Sequence, residues 1–293
     1  MTRGGFVALA GRPNVGKSTF VNAVVGEKVA IVSDRPQTTR RAIRGVCSSG
    51  ESQIVLVDLP GVQRPRDALT ARMARRVRQE LEGSDAILVM VNARQGVGPG
   101  DRFILGTLAD ARQSLTIAVN KIDRLPRAEL MATLEHAAEL APRAELFPIS
   151  ARTGEGVAAL VVHLGELMPE GPFLYSPDAK SDQSPELLAG ELVREAVIRR
   201  TFQELPHAVE VVVEEIDHPR HGLTGVRALI WVESDSQKGI LIGARGRMIK
   251  AIGVAARREL ERALGCQVHL ELMVRVRRDW RGDESLLDRL GIT

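Results

Sequence analysis

A glycine-rich loop lies close to the amino terminus, where the chain reads Gly11-Arg12-Pro13-Asn14-Val15-Gly16-Lys17-Ser18-Thr19. An apolar run, residues 6–10, precedes the loop, and a helix-like run, residues 19–25, follows it. This is the order of strand, loop and helix that the phosphate-binding motif G-x-x-x-x-G-K-[ST] requires. A glycine-rich turn that binds nothing is the weaker alternative, because the motif is complete and stands in its expected context.

The residue types of this loop suit a nucleoside triphosphate. Glycines let the backbone N–H groups turn inward, and the following helix directs its positive amino-terminal end at the phosphates. Lys17 is expected to neutralise β- and γ-phosphate oxygens, and the Ser18 hydroxyl is expected to ligate Mg²⁺. We therefore predict that residues 11–19 contact the nucleotide and that Lys17 is also catalytic.

Two later segments carry further predicted Mg²⁺ ligands. The stretch 33–41 is polar and has no apolar period, so it reads as a loop. After a phosphate loop, a threonine in such a segment can complete the Mg²⁺ shell and sense the γ-phosphate. Thr39 is favoured for this role, with Thr38 as its competitor. The apolar strand 54–57 then delivers Asp58, whose carboxylate is expected to hold the ion.

The turn after Asp58 reads Leu59-Pro60-Gly61, and the Gly61 N–H is predicted to meet the γ-phosphate. The next residue is Val62, which cannot orient a water molecule, whereas GTPases of the Ras type place a glutamine there. Slow intrinsic hydrolysis is therefore predicted, with Thr39, Gly61 and Asn14 as the catalytic positions besides Lys17. Asn14 is a candidate K⁺ ligand on its resemblance to potassium-dependent relatives; the alternative is a hydrogen bond within its own loop.

The sequence N-K-x-D occurs at residues 120–123, directly after the apolar run 115–119. The Asp123 carboxylate can accept the N1–H and the exocyclic amine of guanine together, whereas adenine presents an acceptor at N1. A buried polar group left unpaired by the wrong base gives about 10⁴-fold discrimination or more. The chain is therefore predicted to bind GTP and GDP.

Three neighbours of Asp123 complete the predicted base site. The Lys121 stem is expected to lie along the base, and the Asn120 side chain to tie this loop to the phosphate loop. The pair Ser150-Ala151 follows a further apolar run, and the Ala151 N–H is expected to point at guanine O6.

Apolar strands alternate with helix-like segments through about residue 168. The runs 54–57, 86–92 and 115–119 have the continuous apolar character of buried parallel strands, and 69–81 has helical spacing. We therefore predict an α/β fold in which a doubly wound sheet forms a GTPase domain over residues 1–168.

Composition limits the class of protein. A chain of 293 residues with 44% hydrophobic content suggests about two domains with real cores. Its apolar runs fall far short of the roughly 20 residues of a membrane span, and no signal peptide is recognisable, so a cytoplasmic protein is expected. Cys47 and Cys266 lie far apart without metal-binding spacing, which favours reduced structural thiols.

Charge is distributed unevenly along the chain. The net charge is only +3, yet residues 236–281 contain 11 Lys and Arg against 4 Asp and Glu. This asymmetry indicates an anionic partner for the carboxy-terminal part. A Pro- and Ser-rich linker, residues 169–185, separates the two parts.

The second part, residues 186–293, is predicted to be an α+β domain with a carboxy-terminal tail. Residues 186–205 read as an amphipathic helix, and the strands 207–214 and 226–233 read as a pair joined by the turn 218–222. The inward residues predicted for that helix include Leu188, Leu192, Ile198 and Phe202. Trp280 is expected to serve packing or a rim rather than base stacking.

A second glycine motif, Gly243-Ala244-Arg245-Gly246, lies between two helical segments. A G-x-x-G loop lets the backbone of a nucleic acid approach closely, as in KH domains. The order α-β-β-α-α-β resembles a type II KH domain; a helix-turn-helix link with a solvated basic face is the alternative. The residues predicted to bind RNA are Lys238, Ile242, Gly243, Ala244, Arg245, Gly246, Arg247 and Lys250.

The five GTPase motifs in order identify a P-loop GTPase domain, and its combination with one carboxy-terminal KH domain resembles the Era family. The phosphate loop, the stretch 37–40 and the segment 280–290 also resemble that family. Two positions depart from its pattern: Leu59 stands where relatives often have Thr, and Ala244-Arg245 where Lys-Gly is frequent.

The resemblance implies a GTPase that binds the 3′ end of 16S rRNA and acts in assembly of the small ribosomal subunit. It implies a monomer in the cytoplasm, with peripheral association with the inner membrane and no binding to DNA. Action on another RNA is the alternative. A tRNA-modifying GTPase would have no reason to carry G-x-x-G, and a tandem GTPase would show a second phosphate loop, which the chain does not contain.

Overall fold

The computed structural model describes residues 1–35, 37–62, 65–202 and 205–292. The chain forms two compact units. The first unit comprises Met1–Ala30, Thr39–Pro65 and Arg72–Asp182. The second unit comprises Ile31–Thr38, Arg66–Ala71 and the chain from Gln183 onwards, so it includes two short segments from the amino-terminal half.

The first unit is built on a mixed sheet whose strand order, among the described residues, is β2-β3-β1-β4-β5-β6. Neighbouring strands are parallel except β2 and β3, which are antiparallel. Its strands are β1 (Arg3–Ala10), β2 (Ile43–Ser49), β3 (Ser52–Asp58), β4 (Ala86–Asn92), β5 (Ser114–Asn120) and β6 (Glu145–Ile149). The helices along this part of the chain are α1 (Lys17–Val25), α2 (Ala68–Glu82), α3 (Pro99–Thr107), α4 (Arg127–Leu140) and α5 (Val157–Glu166). The predicted α/β fold is confirmed.

Both faces of this sheet are buried, which explains the unbroken apolar runs. Every residue of β4 is buried. Alternate side chains enter different clusters: Leu88 and Met90 lie in one core cluster, and Ile87 and Val89 in another. The carboxyl ends of β1, β3 and β5 therefore share one edge, and the loops at such an edge form the ligand crevice of open α/β sheets.

The second unit has a smaller sheet of strand order β7-β8-β9, in which β8 is antiparallel to β7 and parallel to β9. Its elements are α6 (Pro185–Ile198), α7 (Leu205–Ala208), β7 (Glu210–Arg220), β8 (Leu223–Val232), α8 (Asp235–Ile242), α9 (Arg247–Leu264), β9 (Gln267–Val276) and α10 (Glu284–Arg289). Its core includes Leu192, Val197, Ile230, Ile252 and Leu260. The α-β-β-α-α-β order predicted for a KH domain is confirmed.

Three sequence-based expectations differ from the structure. The helix predicted over 186–205 ends at Ile198, and Phe202, expected inside, is 69% exposed. The helical spacing of apolar residues extends to Leu205 in the sequence. Leu205 is indeed buried, but it belongs to the separate helix α7. The predicted turn 218–222 is shorter, since β7 continues to Arg220.

Trp280 is packed inside the second unit, as expected. Its side chain is fully buried, and its Nε1–H donates to the Ala208 carbonyl at 3.0 Å. Among the described helices, none is long and apolar enough to cross a bilayer.

Replacing Trp280 with Phe should lower the free energy of unfolding by about 1–3 kcal/mol, because the change removes the hydrogen bond to the Ala208 carbonyl and opens a cavity. Urea unfolding followed by Trp231 fluorescence measures this change. Val254→Ala, at a half-exposed position of α9, is the control and should shift the value by no more than about 0.5 kcal/mol. Equal midpoints for wild type and Trp280→Phe would contradict the packing role.

Candidate functional site

The phosphate loop joins β1 to α1 and curls through left-handed backbone conformations. The φ angles of Gly11, Asn14 and Gly16 are 148°, 63° and 107°. A Cβ atom on Gly16 would lie 2.3 Å from Asn120 Nδ2, so this glycine is needed for close approach as well as for its φ angle. The loop therefore has the tight turn that anion-binding backbone N–H groups require.

The Lys17 side chain forms hydrogen bonds with the backbone of this loop. Its Nζ donates to the carbonyl oxygens of Gly11 at 3.1 Å and Arg12 at 3.2 Å, and the side chain is 6% exposed. Burial lowers the pKa of Lys17 from its ordinary value, while the carboxylate of Asp58 opposes that effect. An anionic phosphate bound beside the ammonium would favour its charged form, which is the role predicted for Lys17.

Three oxygen atoms from separate elements converge at the amino-terminal end of α1. Ser18 Oγ donates to Asp58 Oδ2 at 2.6 Å, and Thr39 Oγ1 donates to the same oxygen at 3.2 Å. The two hydroxyl oxygens are themselves 3.2 Å apart. Two hydroxyls and one carboxylate are the hard oxygen donors that Mg²⁺ prefers, so the donor set fits the predicted ion.

Thr38 lies in a different environment from Thr39. Its hydroxyl donates to the Arg35 carbonyl at 2.7 Å and lies 2.6 Å from Ser33 Oγ, and the residue is 8% exposed. The Thr38 side chain is thus engaged within its own loop. Of the two candidates that the sequence left open, the geometry favours Thr39; its role as a ligand stays a prediction. Pro36, part of the predicted loop, lies outside the described residues.

The turn after Asp58 lies against the phosphate loop. A Cβ atom on Gly61 would come within 2.8 Å of Pro13 Cγ, and Val62 N donates to the Gly11 carbonyl at 3.4 Å. The Leu59 side chain is fully buried in an apolar cluster that includes Val57. Leu59 can therefore contribute only its backbone to a nucleotide contact, and the same holds for the buried Val15.

The Arg12 side chain is held by α3. Its Nε donates to Asp101 at 2.9 Å, and the Asp101 side chain is fully buried. Asp101 also accepts from Gly98 N at 2.9 Å, so one carboxylate holds both the start of α3 and the phosphate loop. This link was missed in the sequence, where residues 96–100 read only as a Gly- and Pro-rich loop. Asn14 is exposed, and its K⁺ role stays a prediction.

The base-recognition loop is tied to the phosphate loop through Asn120. Asn120 Nδ2 donates to the Val15 carbonyl at 2.8 Å, as the sequence predicted. Lys121 Nζ reaches the Asn14 carbonyl at 2.6 Å. Ala151 N donates to Asn120 Oδ1 at 2.9 Å, and its expected contact with guanine O6 stays a prediction. The structure therefore uses Ala151 to fix the Asn120 amide.

Asp123 is held as a carboxylate by two donors. Ser150 Oγ donates to its Oδ1 at 2.6 Å, and Arg152 Nη2 donates to its Oδ2 at 2.5 Å. These hydrogen bonds, that of Ser150 first, lower the pKa of Asp123 from its ordinary value. An ionised carboxylate is the acceptor that two N–H groups of guanine need. Arg152 was missed in the sequence, although it directly follows the Ser150-Ala151 pair.

The G-x-x-G loop of the second unit connects α8 to α9 through three left-handed residues. The φ angles of Gly243, Arg245 and Gly246 are 69°, 53° and 73°. A Cβ atom on Gly243 would lie 2.8 Å from Met248 Cβ, so the turn excludes a larger residue there. The absence of side chains at both glycines leaves the backbone open to close approach.

Basic and apolar side chains surround this loop. Arg245, Arg247 and Lys250 are exposed, and Lys238 is half-buried. Ile240 and Ile242 of α8 are 54% and 36% exposed, which is unusual for isoleucine. Exposed cationic and apolar side chains near one turn suit a single-stranded nucleic acid, which offers phosphates and unstacked bases.

Replacing Asp123 with Asn should weaken GTP binding by roughly 10²-fold or more, because two hydrogen bonds to a charged acceptor are lost or impaired. Xanthosine triphosphate, which has an acceptor where guanine has its amine, should bind the variant better than GTP does. Titration with fluorescent nucleotides measures both affinities. Arg152→Ala is the control and should retain the preference for GTP; unchanged GTP affinity in Asp123→Asn would contradict the assignment.

Comparison with known proteins agrees with these two sites. The family described as 50S ribosome-binding GTPase matches residues 6–121, and the KH domain family matches residues 204–281. GTPase Era of Mycobacterium tuberculosis (strain ATCC 25618 / H37Rv) is 45% identical, with 98% of each chain covered. GTPase Era of Carboxydothermus hydrogenoformans is 42% identical, with 99% of this chain and 98% of that protein covered.

Two solved structures extend the similarity to three dimensions. A variant of Aquifex aeolicus Era bound to GDP and AlF4⁻ has a TM-score of 0.95 at 35% identity, with both chains fully covered. Era in complex with MgGDPNP and nucleotides 1506–1542 of 16S ribosomal RNA has a TM-score of 0.96 at 34% identity, again with both chains fully covered. These relatives match over nearly the whole length of this chain, and the chain belongs to the Era family of GTPases.

Proposed function

We propose that this GTPase binds the 3′ end of 16S rRNA through its second unit and acts in assembly of the small ribosomal subunit. The observation that carries the proposal is the open Gly243–Gly246 turn with its flanking cations, in a chain that belongs to the Era family. A relative of the same fold was solved with nucleotides 1506–1542 of 16S rRNA. Action on another RNA is the alternative, and the experiment below distinguishes the two.

Hydrolysis proceeds by in-line attack of water on the γ-phosphate of GTP, and the chain contributes mainly position and charge. Lys17 and the backbone N–H groups of residues 14–18 hold the phosphates and offset the charge that develops on their oxygens. Ser18, Thr39 and Asp58 would hold Mg²⁺, which supplies further charge neutralisation when bound. Val62 offers no group that could orient the attacking water, so the proposed intrinsic rate is slow.

RNA is bound chiefly through its backbone. The left-handed turn at Gly243 and Gly246 permits a phosphate to approach the peptide, and Arg245, Arg247 and Lys250 lie within the same stretch. The chain contains one Tyr and two Trp, and Trp280 is fully buried. Base stacking on aromatic side chains therefore contributes little to RNA binding. Recognition depends on hydrogen bonds to base edges and on contacts with the RNA backbone.

The remaining parts of the proposal rest on family resemblance. The protein is proposed to be a monomer that does not bind DNA. It is proposed to reside in the cytoplasm and to associate peripherally with the inner membrane. The excess of Lys and Arg in residues 236–281 supports an anionic partner for the second unit.

A single-stranded RNA copying the 16S 3′ end should bind the protein and stimulate its GTP hydrolysis. The double variant Gly243→Asp/Gly246→Asp should lose both effects, because two carboxylates at the turn repel phosphates and block close approach. The control Gly222→Asp places the same residue at another glycine of positive φ, in the β7–β8 turn, and should retain both effects. Turnover and RNA affinity are measured in parallel, with RNA of scrambled sequence as a further comparison.

Equal stimulation by 16S and scrambled RNA would support another RNA target. No stimulation by any RNA would contradict the coupling of the two activities. Arg245→Ala, which removes one cation that binds a phosphate, should also reduce the slope of log affinity against log salt by roughly 0.7.

A further inference from the structure

Two buried ionic side chains of α6 hold the backbone of the loop that precedes Thr39. Both contacts lie inside the second unit, which includes residues 31–38 as well as α6. Arg194 is fully buried, and its Nη2 donates to the Thr38 carbonyl at 2.5 Å. The same guanidinium makes two hydrogen bonds to Glu191, from Nε at 3.0 Å and from Nη2 at 2.5 Å.

Glu195 holds the other end of the same loop. Its side chain is 1% exposed, and its Oε1 accepts from Val32 N at 3.0 Å and from Arg199 Nη2 at 2.9 Å. Arg199 Nη2 also donates to the Val32 carbonyl at 3.3 Å. Backbone atoms at positions 32 and 38 are therefore both bound by the carboxy-terminal end of α6, through residues 194 and 195 and the C-cap residue Arg199.

These contacts are specific and costly to build. Burying an arginine and a glutamate requires several kcal/mol of desolvation per ion, and apolar residues of similar volume often stabilise a core equally well. The guanidinium of Arg194 donates to the carboxylate from two nitrogen atoms, Nε and Nη2, and to the peptide carbonyl from Nη2. The single nitrogen atom of a lysine ammonium cannot reproduce this planar, two-point arrangement. The contact of Arg194 with the Thr38 carbonyl therefore explains its burial better than a contribution to the stability of α6 does.

The held carbonyl adjoins the predicted metal ligand. Thr38 precedes Thr39 directly, and consecutive Cα atoms are about 3.8 Å apart. Because the peptide between them is planar, fixing the Thr38 carbonyl fixes the plane from which the Thr39 chain continues. Thr39 Oγ1 then lies 3.2 Å from both Ser18 Oγ and Asp58 Oδ2. A displacement of Arg194 would thus move a hydroxyl that belongs to the metal-binding oxygens.

The start of α2 is held in the second unit in a similar way. Asp67 pairs with Arg281, and Leu69 N donates to the Arg281 carbonyl at 3.1 Å. Asp67 also caps α2 by accepting from Thr70 N at 2.9 Å. The second unit therefore holds a segment that precedes Thr39 and a segment that follows Gly61, the two residues predicted to meet the γ-phosphate.

We propose that Arg194 is a positioning residue for GTP hydrolysis, which holds the Thr38 carbonyl so that Thr39 remains beside Ser18 and Asp58. Through Arg194 and Glu195, helix α6 of the second unit thereby affects the rate of GTP hydrolysis. This inference rests on the proposed role of Thr39, and it names the residues by which that role depends on α6.

Arg194→Lys should lower kcat for GTP roughly 3- to 30-fold, as expected of a residue that modulates a site it does not touch. GDP affinity should stay within about twofold, since GDP lacks the γ-phosphate that orders this loop. Hydrogen exchange of amides 32–41 with a GTP analogue bound should be faster than in wild type. The control Arg200→Lys makes the same substitution at a neighbouring arginine that contacts the Ala196 carbonyl, and it should leave all three values unchanged.

A double-mutant cycle with Thr39→Ala separates the possible outcomes. If Arg194 acts through Thr39, then Arg194→Lys has no further effect on kcat once Thr39 is Ala. Full additivity, or an unchanged kcat in Arg194→Lys when Thr39→Ala is impaired, would overturn the inference. An unchanged kcat in Thr39→Ala alone would instead overturn the proposed role of Thr39, and the inference with it.

If Arg194→Lys does not fold, the variant Arg199→Ala tests the inference in the same double-mutant cycle with Thr39→Ala. Arg199 has a side chain that is 51% exposed, and its loss removes the hydrogen bonds to the Val32 carbonyl and to Glu195 without opening the core. A smaller fall in kcat that disappears in Thr39→Ala supports the inference, whereas an unchanged kcat overturns it.

Discussion

The meeting of three oxygen atoms, from Ser18, Thr39 and Asp58, is the constraint on which the rest of this structure depends. Oxygen atoms 2.6–3.2 Å apart require shared protons or a cation between them. α1, which follows β1, supplies one oxygen, and the end of β3 supplies another; the parallel pairing of β1 with β3 places both at one edge of the sheet. The third oxygen comes from a loop residue, so its position depends on what holds the loop.

On the proposal above, that dependence connects GTP hydrolysis to the second unit, which the KH domain family matches. Residues 31–38 belong to the second unit, and Thr39 belongs to the first. One peptide bond therefore separates a backbone held by Arg194 from a hydroxyl beside Asp58. On the proposal above, a change in α6 displaces Thr39 Oγ1, one of the three oxygen atoms predicted to bind Mg²⁺.

Sequence predicted well where chemistry fixes both residue type and spacing. The phosphate loop, the buried run 86–92 and the link from Asn120 to the phosphate loop follow from local patterns, and the structure contains each of them. Arg194 could not be predicted, because its burial depends on a carbonyl that lies 156 residues earlier in the chain. Phe202 was placed inside because apolar spacing continued past the end of α6. The hydrogen bond from Ala151 N to Asn120 Oδ1 could not be predicted either, because no local pattern reveals this partner.

The most direct test of the three-oxygen arrangement is the Mg²⁺ concentration needed for a non-hydrolysable GTP analogue to bind, measured in Thr39→Ala and Thr38→Ala. Thr39→Ala should raise the half-saturating Mg²⁺ concentration about tenfold or more, in the range seen when groups around a metal are removed. Thr38→Ala should change it by less than about threefold, since its hydroxyl bonds only within its own loop among the described contacts. Equal effects of the two variants, or a larger effect of Thr38→Ala, would contradict the arrangement.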